Sequence, residues 1–198
     1  RKLVNWDTVL KTAISDLEVD QREVNSKLYH IKYPIEETEE FITIATTRPE
    51  TMLGDTAVAV NPNDKRYKKL IGKNVLLPLV GKKIKIISDE YADPEQGTGA
   101  VKITPAHDFN DYEVGVRNKL EVLNILTGDG KINKNAPKKY IGLDRFVARK
   151  KILEDLSNEG LLVKEENIKN KIPYGDRSNS AIEPFLTEQW FVDAKKLA

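Results

Sequence analysis

The sequence contains no cysteine and only two histidines, His30 and His107. Without thiols, disulfide scaffolds, cysteine–zinc sites and cysteine nucleophiles are excluded, and two histidines are too few for a multi-histidine metal site. No apolar run approaches the roughly 18 residues that a membrane-spanning helix needs, and the first residues do not form a signal peptide. We therefore expect a cytoplasmic protein with no membrane segment and no metal in its site.

A strong net charge of either sign is also missing. Lys and Arg number 32 against 31 Asp and Glu, which gives a net charge of +1 and excludes a histone-like DNA binder. The hydrophobic content of 39% is that of a globular chain. Locally, residues 131–171 hold 11 basic and 6 acidic side chains. This excess fits either a solvated helix face or a surface turned toward a phosphate backbone.

What the sequence does contain is a series of short β-rich segments separated by turn residues. The patterns predict strands over 28–35, 41–46, 56–60, 75–80, 83–88 and 99–104, a hairpin turn at 127–130, and helices over 64–70, 109–118 and 143–159. Because strands and helices do not alternate, a doubly wound parallel sheet is disfavoured. We predict a mainly β fold with some α, built as a β-barrel core with peripheral helices.

The first polar segment is TTRPETMLGDT, residues 46–56, which follows a predicted strand. Its hydroxyl groups can donate to an oxyanion or hold a water molecule, and the fork of Arg48 suits a phosphate or a carboxylate. Spacing alone equally fits a hydrogen-bonded β-turn in which threonines cap the backbone.

The second polar segment is GTGAVKITPAHDFNDY, residues 97–112. Lys102 and Thr104 are two apart on a strand and share a face, while Asp108 and Asp111 share a face of the helix that follows. A structural interpretation makes Asp108 the helix N-cap and Asp111 a partner of the helix dipole. No complete phosphate loop, dinucleotide fingerprint or serine nucleophile elbow is present. The residues alone therefore predict a polar pocket formed by two loops of a β-rich domain.

The motifs TTRPET (46–51), GTGAV (97–101) and PAHD (105–108), with Asp111 and Tyr112, closely resemble the editing domain of the valyl-tRNA synthetase family. This domain is inserted in the catalytic fold of the class I valyl, isoleucyl and leucyl enzymes. Stretches at 3–19, 143–149 and 175–192 extend the resemblance over essentially the whole chain. Gln96 and Asn118 depart from the valyl pattern, which usually has an aromatic residue and often a histidine at those positions.

The resemblance implies three parts: a lead-in arm at 1–27, an editing domain at 28–165 and a return arm at 166–198. Both arms would join the catalytic core of a larger synthetase. That core would use ATP and Mg²⁺, but its His-x-Gly-His and Lys-Met-Ser-Lys-Ser signatures do not occur in these 198 residues. The editing domain itself is expected to need no cofactor.

The implied reaction is hydrolysis of the ester that joins threonine to the 3′ end of tRNA(Val). By resemblance, Asp111 binds the α-ammonium group of the misattached amino acid. Thr46, Thr47 and Thr51 line the scissile ester and hold water or the developing oxyanion. No protein general base is evident, and the vicinal ribose hydroxyl is expected to assist.

A second set of residues is implied to bind the substrate. Arg48 and Lys102 would contact the terminal adenosine or its phosphate, or polarise the ester, while Thr104 and Asp108 would read the threonine hydroxyl. The whole substrate-binding set is Arg48, Glu50, Lys102, Thr104, His107 and Asp108. Two alternatives stay open: a non-catalytic module that clamps tRNA through 131–171, and the editing domain of the related isoleucyl enzyme.

Overall fold

The computed structural model describes residues 2–188. Its two α-helices are α1 (Phe109–Arg117) and α2 (Arg145–Asn158). Short 3-10 helices cover Asp16–Glu18, Pro49–Gly54, Lys68–Leu70 and Lys138–Tyr140. The strands are β1 (Lys2–Asp7), β2 (Thr12–Ile14), β3 (Val19–Pro34), β4 (Phe41–Thr46), β5 (Ala57–Val60), β6 (Asn74–Leu76), β7 (Lys83–Ser88), β8 (Ala100–Ile103), β9 (Leu162–Gly175) and β10 (Glu183–Thr187).

Three separate sheets are formed, with the strand orders β10-β1-β2, β4-β3-β9 and β6-β7-β5-β8. All pairs are antiparallel except β5 with β7. The prediction of a mainly β fold with some helices is confirmed, but the predicted barrel is wrong because the sheets do not close on one another. Edge strands β4 and β8 lie close together without a hydrogen-bonded ladder. Strand density in a sequence does not determine whether two such edges pair.

Most of the predicted core elements are present. β4 and β7 have the predicted bounds, and β5, β8, α1 and α2 differ from theirs by one or two residues. The predicted helix over 64–70 is reduced to turns at 65–67 and a 3-10 helix at Lys68–Leu70. The 75–80 strand stops at Leu76, before Pro78 and before Leu79, which has a φ of +65°. The turn at 127–130 closes with a bridge between Leu126 and Ile132.

The longest ladder of the fold joins β3 to β9 and runs from Val19 opposite Gly175 to Ile31 opposite Leu162. It passes through both predicted domain boundaries, 27/28 and 165/166, so the division into arms and a central domain stays a prediction. β1, β2 and β10 come from the two ends of the chain and form one sheet. Residues 189–198, including the QWFV part of the family resemblance, lie outside the described residues.

Two apolar clusters position the polar loops. The larger cluster contains Ile31, Ile42 and Ile44, and α2 covers it through Ala148, Ile152 and Leu156. Asp144 caps α2 by accepting from the Phe146 backbone N–H at 2.8 Å, and Gly160 follows it with a φ of +70°. The smaller cluster includes Ala57, Ala59, Ile103 and Val114, and it fixes α1 against β5 and β8. The start of α1 is thereby held beside the end of β8.

Candidate functional site

The turn after β4 and the loop after β8 meet at the side chain of Lys102. Its Nζ atom donates to Thr51 Oγ1 at 2.8 Å and to Thr104 Oγ1 at 2.5 Å, and it lies 3.4 Å from Asp55 Oδ1. All four residues are buried. The two segments that the sequence singled out separately therefore meet in one buried polar cluster.

Asp55 is the residue of this cluster to which the sequence analysis assigned no role. Its carboxylate accepts from Tyr33 Oη at 2.6 Å and from Thr104 Oγ1 at 2.5 Å, and it pairs with Lys102. Burial raises the pKa of Asp55, while Lys102 and the two hydroxyl groups act in the opposite direction. The sequence signal for Asp55 was an acidic residue near the end of the TTRPETMLGDT segment. Its hydrogen-bond partners Tyr33 and Thr104 are 22 and 49 residues away, so local spacing does not reveal them.

Asp111 lies in the first turn of α1 and is only 5% exposed. Its Oδ2 atom accepts from the Thr104 backbone N–H at 2.8 Å. Asp108 caps the same helix by accepting from the backbone N–H groups of Asn110 and Asp111, so its predicted structural role is present. Burial raises the pKa of Asp111 to about 7; Asp108 and Asp55 add to the effect, and Lys102 opposes it.

Arg48 and Glu50 belong to a network of alternating charges. Arg48 donates through Nε to Glu50 Oε1 at 3.2 Å, and Arg149 reaches both oxygens of Glu50 at 2.7 and 2.9 Å. Glu50 is fully buried, yet Arg149 and Arg48 outweigh that burial and lower its pKa to about 2. Burial likewise disfavours the charged form of Arg48, but Glu183 and Glu50 raise the pKa of this guanidinium above its ordinary value.

His107 is buried and in contact with both loops. Its Nε2 atom accepts from the Ile125 backbone N–H at 3.0 Å, and its backbone carbonyl accepts from Arg48 Nη1 at 3.2 Å. Nδ1 is buried without a hydrogen-bond partner. Burial, together with Arg48 and Lys102, lowers the pKa of His107 to about 3. At neutral pH the ring is therefore uncharged and presents Nδ1 as its N–H donor.

A cleft of about 690 Å³ opens beside this cluster. Its lining includes Thr47, Arg48, His107 and Asp108, together with residues 170–174 and 181–184. The remaining residues of the sequence-predicted site are buried and do not line the cleft: Thr46, Glu50, Thr51, Lys102, Thr104 and Asp111. The structure thus divides the predicted set into a cleft-lining group and a buried group, joined by Arg48 and His107.

Within residues 2–188, no cluster of three or more His, Asp or Glu side chains is arranged to hold a metal ion. In the same part of the chain, no helix has the length and apolar character needed to cross a membrane.

Comparison with known proteins identifies the family. The model of the class I tRNA synthetases for isoleucine, leucine, methionine and valine matches residues 1–198, and the chain belongs to this family. Within it, the chain is 77% identical over 198 residues to the valine–tRNA ligase of Pelagibacter ubique. It is 59% identical over 197 residues to that of Legionella pneumophila strain Paris, and 54% identical over 218 residues to that of Caulobacter vibrioides.

All three matches cover the whole of this chain but 21–24% of the relatives' length. A solved structure with a similar fold is the leucyl-tRNA synthetase of Agrobacterium radiobacter K84, in a ternary complex with tRNA and LeuAMS. It gives a TM-score of 0.56 at 19% identity and covers 75% of this chain and 20% of that one. The chain therefore corresponds to a segment of a valine–tRNA ligase, with a fold that the leucyl enzyme shares.

Proposed function

We propose that this chain is the editing domain of a valine–tRNA ligase and that it hydrolyses threonyl-tRNA(Val). One observation carries the proposal: two distant segments bring hydroxyl groups, an ammonium group and the buried carboxylate of Asp111 into one cluster beside an open cleft. The tRNA complex of the leucyl enzyme and the names of the valine–tRNA ligase relatives support tRNA as the partner.

The chemistry proposed for the site is ester hydrolysis. Asp111 binds the α-ammonium group of the attached amino acid and fixes the pose of the ester. Thr46, Thr47 and Thr51 line the ester and its developing oxyanion. Arg48, on the cleft wall, contacts the terminal adenosine or its phosphate. Since His107 is uncharged, it adds no cation to the site.

Selectivity between threonine and valine follows from the polarity of the cluster. The two amino acids have nearly the same shape, and an apolar pocket rejects an added hydroxyl group poorly, as this very pair illustrates. A site that reads the hydroxyl through Thr104 and Asp108 leaves buried polar groups unpaired when valine enters. Each such group costs about 1–3 kcal/mol, so valyl-tRNA is spared.

The test is deacylation of charged tRNA(Val) by the purified chain. We expect it to hydrolyse threonyl-tRNA(Val) well above the spontaneous rate and to leave valyl-tRNA(Val) at that rate. A chain that binds tRNA and leaves both esters intact would instead be the clamping module suggested by the basic 131–171 segment. The parent protein, by the same proposal, attaches valine to tRNA(Val) using ATP and Mg²⁺ in a catalytic domain outside these residues.

A further inference from the structure

Glu183, the first residue of β10, lies between two arginines that come from different parts of the fold. Its Oε2 atom accepts from Arg48 Nη2, and its Oε1 atom is 2.9 Å from Arg145 Nε. Glu183 is 4% exposed and Arg145 is also 4% exposed. Glu183 is 135 residues from Arg48 in sequence, and no spacing signal connects the two.

Three groups determine the position of the Arg48 guanidinium. Nε donates to Glu50, Nη1 donates to the carbonyl of His107, and Nη2 donates to Glu183. Glu50 and His107 belong to the two site loops. Glu183 alone of the three comes from the sheet that contains β1, β2 and β10. Because a guanidinium is planar with fixed donor directions, contacts on three sides leave it one orientation.

The network continues beyond Arg48 in both directions. In order, it contains Arg145, Glu183, Arg48, Glu50 and Arg149. Both carboxylates are buried between arginines. Removing Glu183 leaves Arg48 paired with Glu50 alone and leaves Arg145 with Asp144, at 3.8 Å, as its remaining carboxylate. A further tie is the bond from Arg145 Nη2 to the Ala181 carbonyl at 3.1 Å, which fixes the chain just before β10.

We propose that Glu183 is a positioning residue for the candidate site, which it serves by holding Arg48 against the cleft wall. The inference deepens the proposed deacylase function and depends on it: through Arg48, the β10 strand sets how well the cleft binds the end of the tRNA. Glu183 acts on Arg48 and not on the ester, so its loss weakens substrate binding more than the chemical step.

The experiment compares E183Q, R145M and the double variant E183Q/R145M in the full chain. E183Q keeps the size of the side chain and removes its charge. R145M removes the other arginine and its bond to the Ala181 carbonyl but leaves the Arg48–Glu183 pair in place, so it serves as the matched control for damage to the network and to the start of β10. The double variant avoids a buried arginine at position 145 that has lost its closer carboxylate partner, and it protects the test against misfolding of E183Q. E165Q, in the exposed Lys27–Glu165 pair, is the surface control.

With threonyl-tRNA(Val) as substrate, E183Q and the double variant are expected to raise KM about tenfold and to keep kcat within about twofold, the pattern of lost binding in the ground state. R145M and E165Q are expected to keep KM within about twofold. A KM increase in R145M equal to that in E183Q would overturn the positioning role, since the network would then act through stability.

A readout independent of activity is ¹⁵N NMR of arginine side chains. In the wild-type chain we expect slow rotation of the Arg48 guanidinium, whose signal is assigned by its loss in R48K. In E183Q we expect fast rotation of the same group. Unchanged rotation in E183Q would overturn the proposal. If the wild-type chain does not hydrolyse threonyl-tRNA(Val), the proposed function fails, and the NMR comparison alone decides whether Glu183 orients Arg48.

Discussion

Asp111 shows how the environment of one residue determines what the candidate site is able to bind. Its carboxyl group is buried and hydrogen-bonded to the Thr104 backbone N–H, and its pKa is raised to about 7 mainly because burial disfavours the charged form. An α-ammonium group entering the site supplies a cation at short range and restores the charged form. Asp111 is thus suited to a cationic ligand, because its ionised form is unfavourable when no cation is paired with it.

Replacing Asp111 with Asn is therefore expected to separate function from folding. The amide oxygen still accepts from the Thr104 backbone N–H, but the charge-assisted bond that we propose to the ammonium would be lost. Such a bond contributes about 1.5–3 kcal/mol, so deacylation of threonyl-tRNA(Val) should fall roughly tenfold to a hundredfold. Single-turnover hydrolysis measures this, with E113Q on the exposed side of α1 as control. Near-normal hydrolysis by D111N would return Asp111 to a purely structural role.

The pKa of Asp111 also predicts the pH dependence of stability. Between the unfolded value of 3.8 and about 7, the folded protein binds the extra proton, so this group lowers stability as the pH rises through that interval. D111N removes the effect. We expect its melting temperature to exceed that of the wild type at pH 8 and to equal it near pH 3.5. A wild-type chain that is more stable than D111N at pH 8 would show that the carboxylate is stabilised by its neighbours.

At the scale of elements, α1 is held against the site loop by close packing. A Cβ atom at Gly115 would lie 2.9 Å from Cγ and 3.0 Å from Cβ of Pro105, in the loop that contains Thr104 and His107. Asp111 is one turn earlier on the same helix. The glycine is therefore needed for a close approach of helix and loop, and this approach sets the distance between Asp111 and Thr104.

Gly115→Ala is expected to push α1 away from Pro105. Overpacking of this kind costs about 1–3 kcal/mol, and the displacement of Asp111 should reduce deacylation as well. Thermal melts and hydrolysis rates on the same sample measure both effects. Glu113→Ala, an exposed change on the same helix, is expected to alter neither by much. If G115A melts and reacts like the wild type, the loop has room to move and does not fix Asp111.

The elements that the sequence predicted are those whose pattern matches their surroundings. Along β4, buried Ile42 and Ile44 alternate with half-exposed Thr43 and Ala45, and α2 has both a cap and a stop, so each is identifiable from local signals. β9 is not identifiable in this way, because Lys, Glu and Asn fill many of its positions and its partner β3 is more than a hundred residues earlier. Asp55 and Glu183 were missed for the same reason: their partners are distant in sequence.

For the molecule as a whole, segments from both ends of the described range, residues 2–188, are linked to the region of the candidate site. The β3–β9 ladder joins residues 19–31 to residues 162–175, and the β10-β1-β2 sheet is linked to Arg48 through Glu183. The boundary at 28–165, which the family resemblance implies, keeps only the ladder pairs from Tyr29 opposite Glu165 to Ile31 opposite Leu162. A boundary at 19–175 keeps the whole ladder. Comparing the two boundaries therefore separates two contributions. One is that of the β3–β9 ladder to folding, and the other is that of β10 to the position of Arg48.

Two truncated chains test this separation. Residues 19–175 keep the whole β3–β9 ladder and lack Glu183, so we expect a cooperative thermal transition together with a KM for threonyl-tRNA(Val) raised to the level of E183Q. Residues 28–165 keep the β3–β4 ladder but only three β3–β9 pairs, from Tyr29 opposite Glu165 to Ile31 opposite Leu162, so we expect a lower melting temperature. Circular dichroism and deacylation kinetics compare both with the full chain. A 19–175 chain with the KM of the full chain would show that Arg48 keeps its position without β10, and a stable 28–165 chain would show that the ladder is dispensable for the fold.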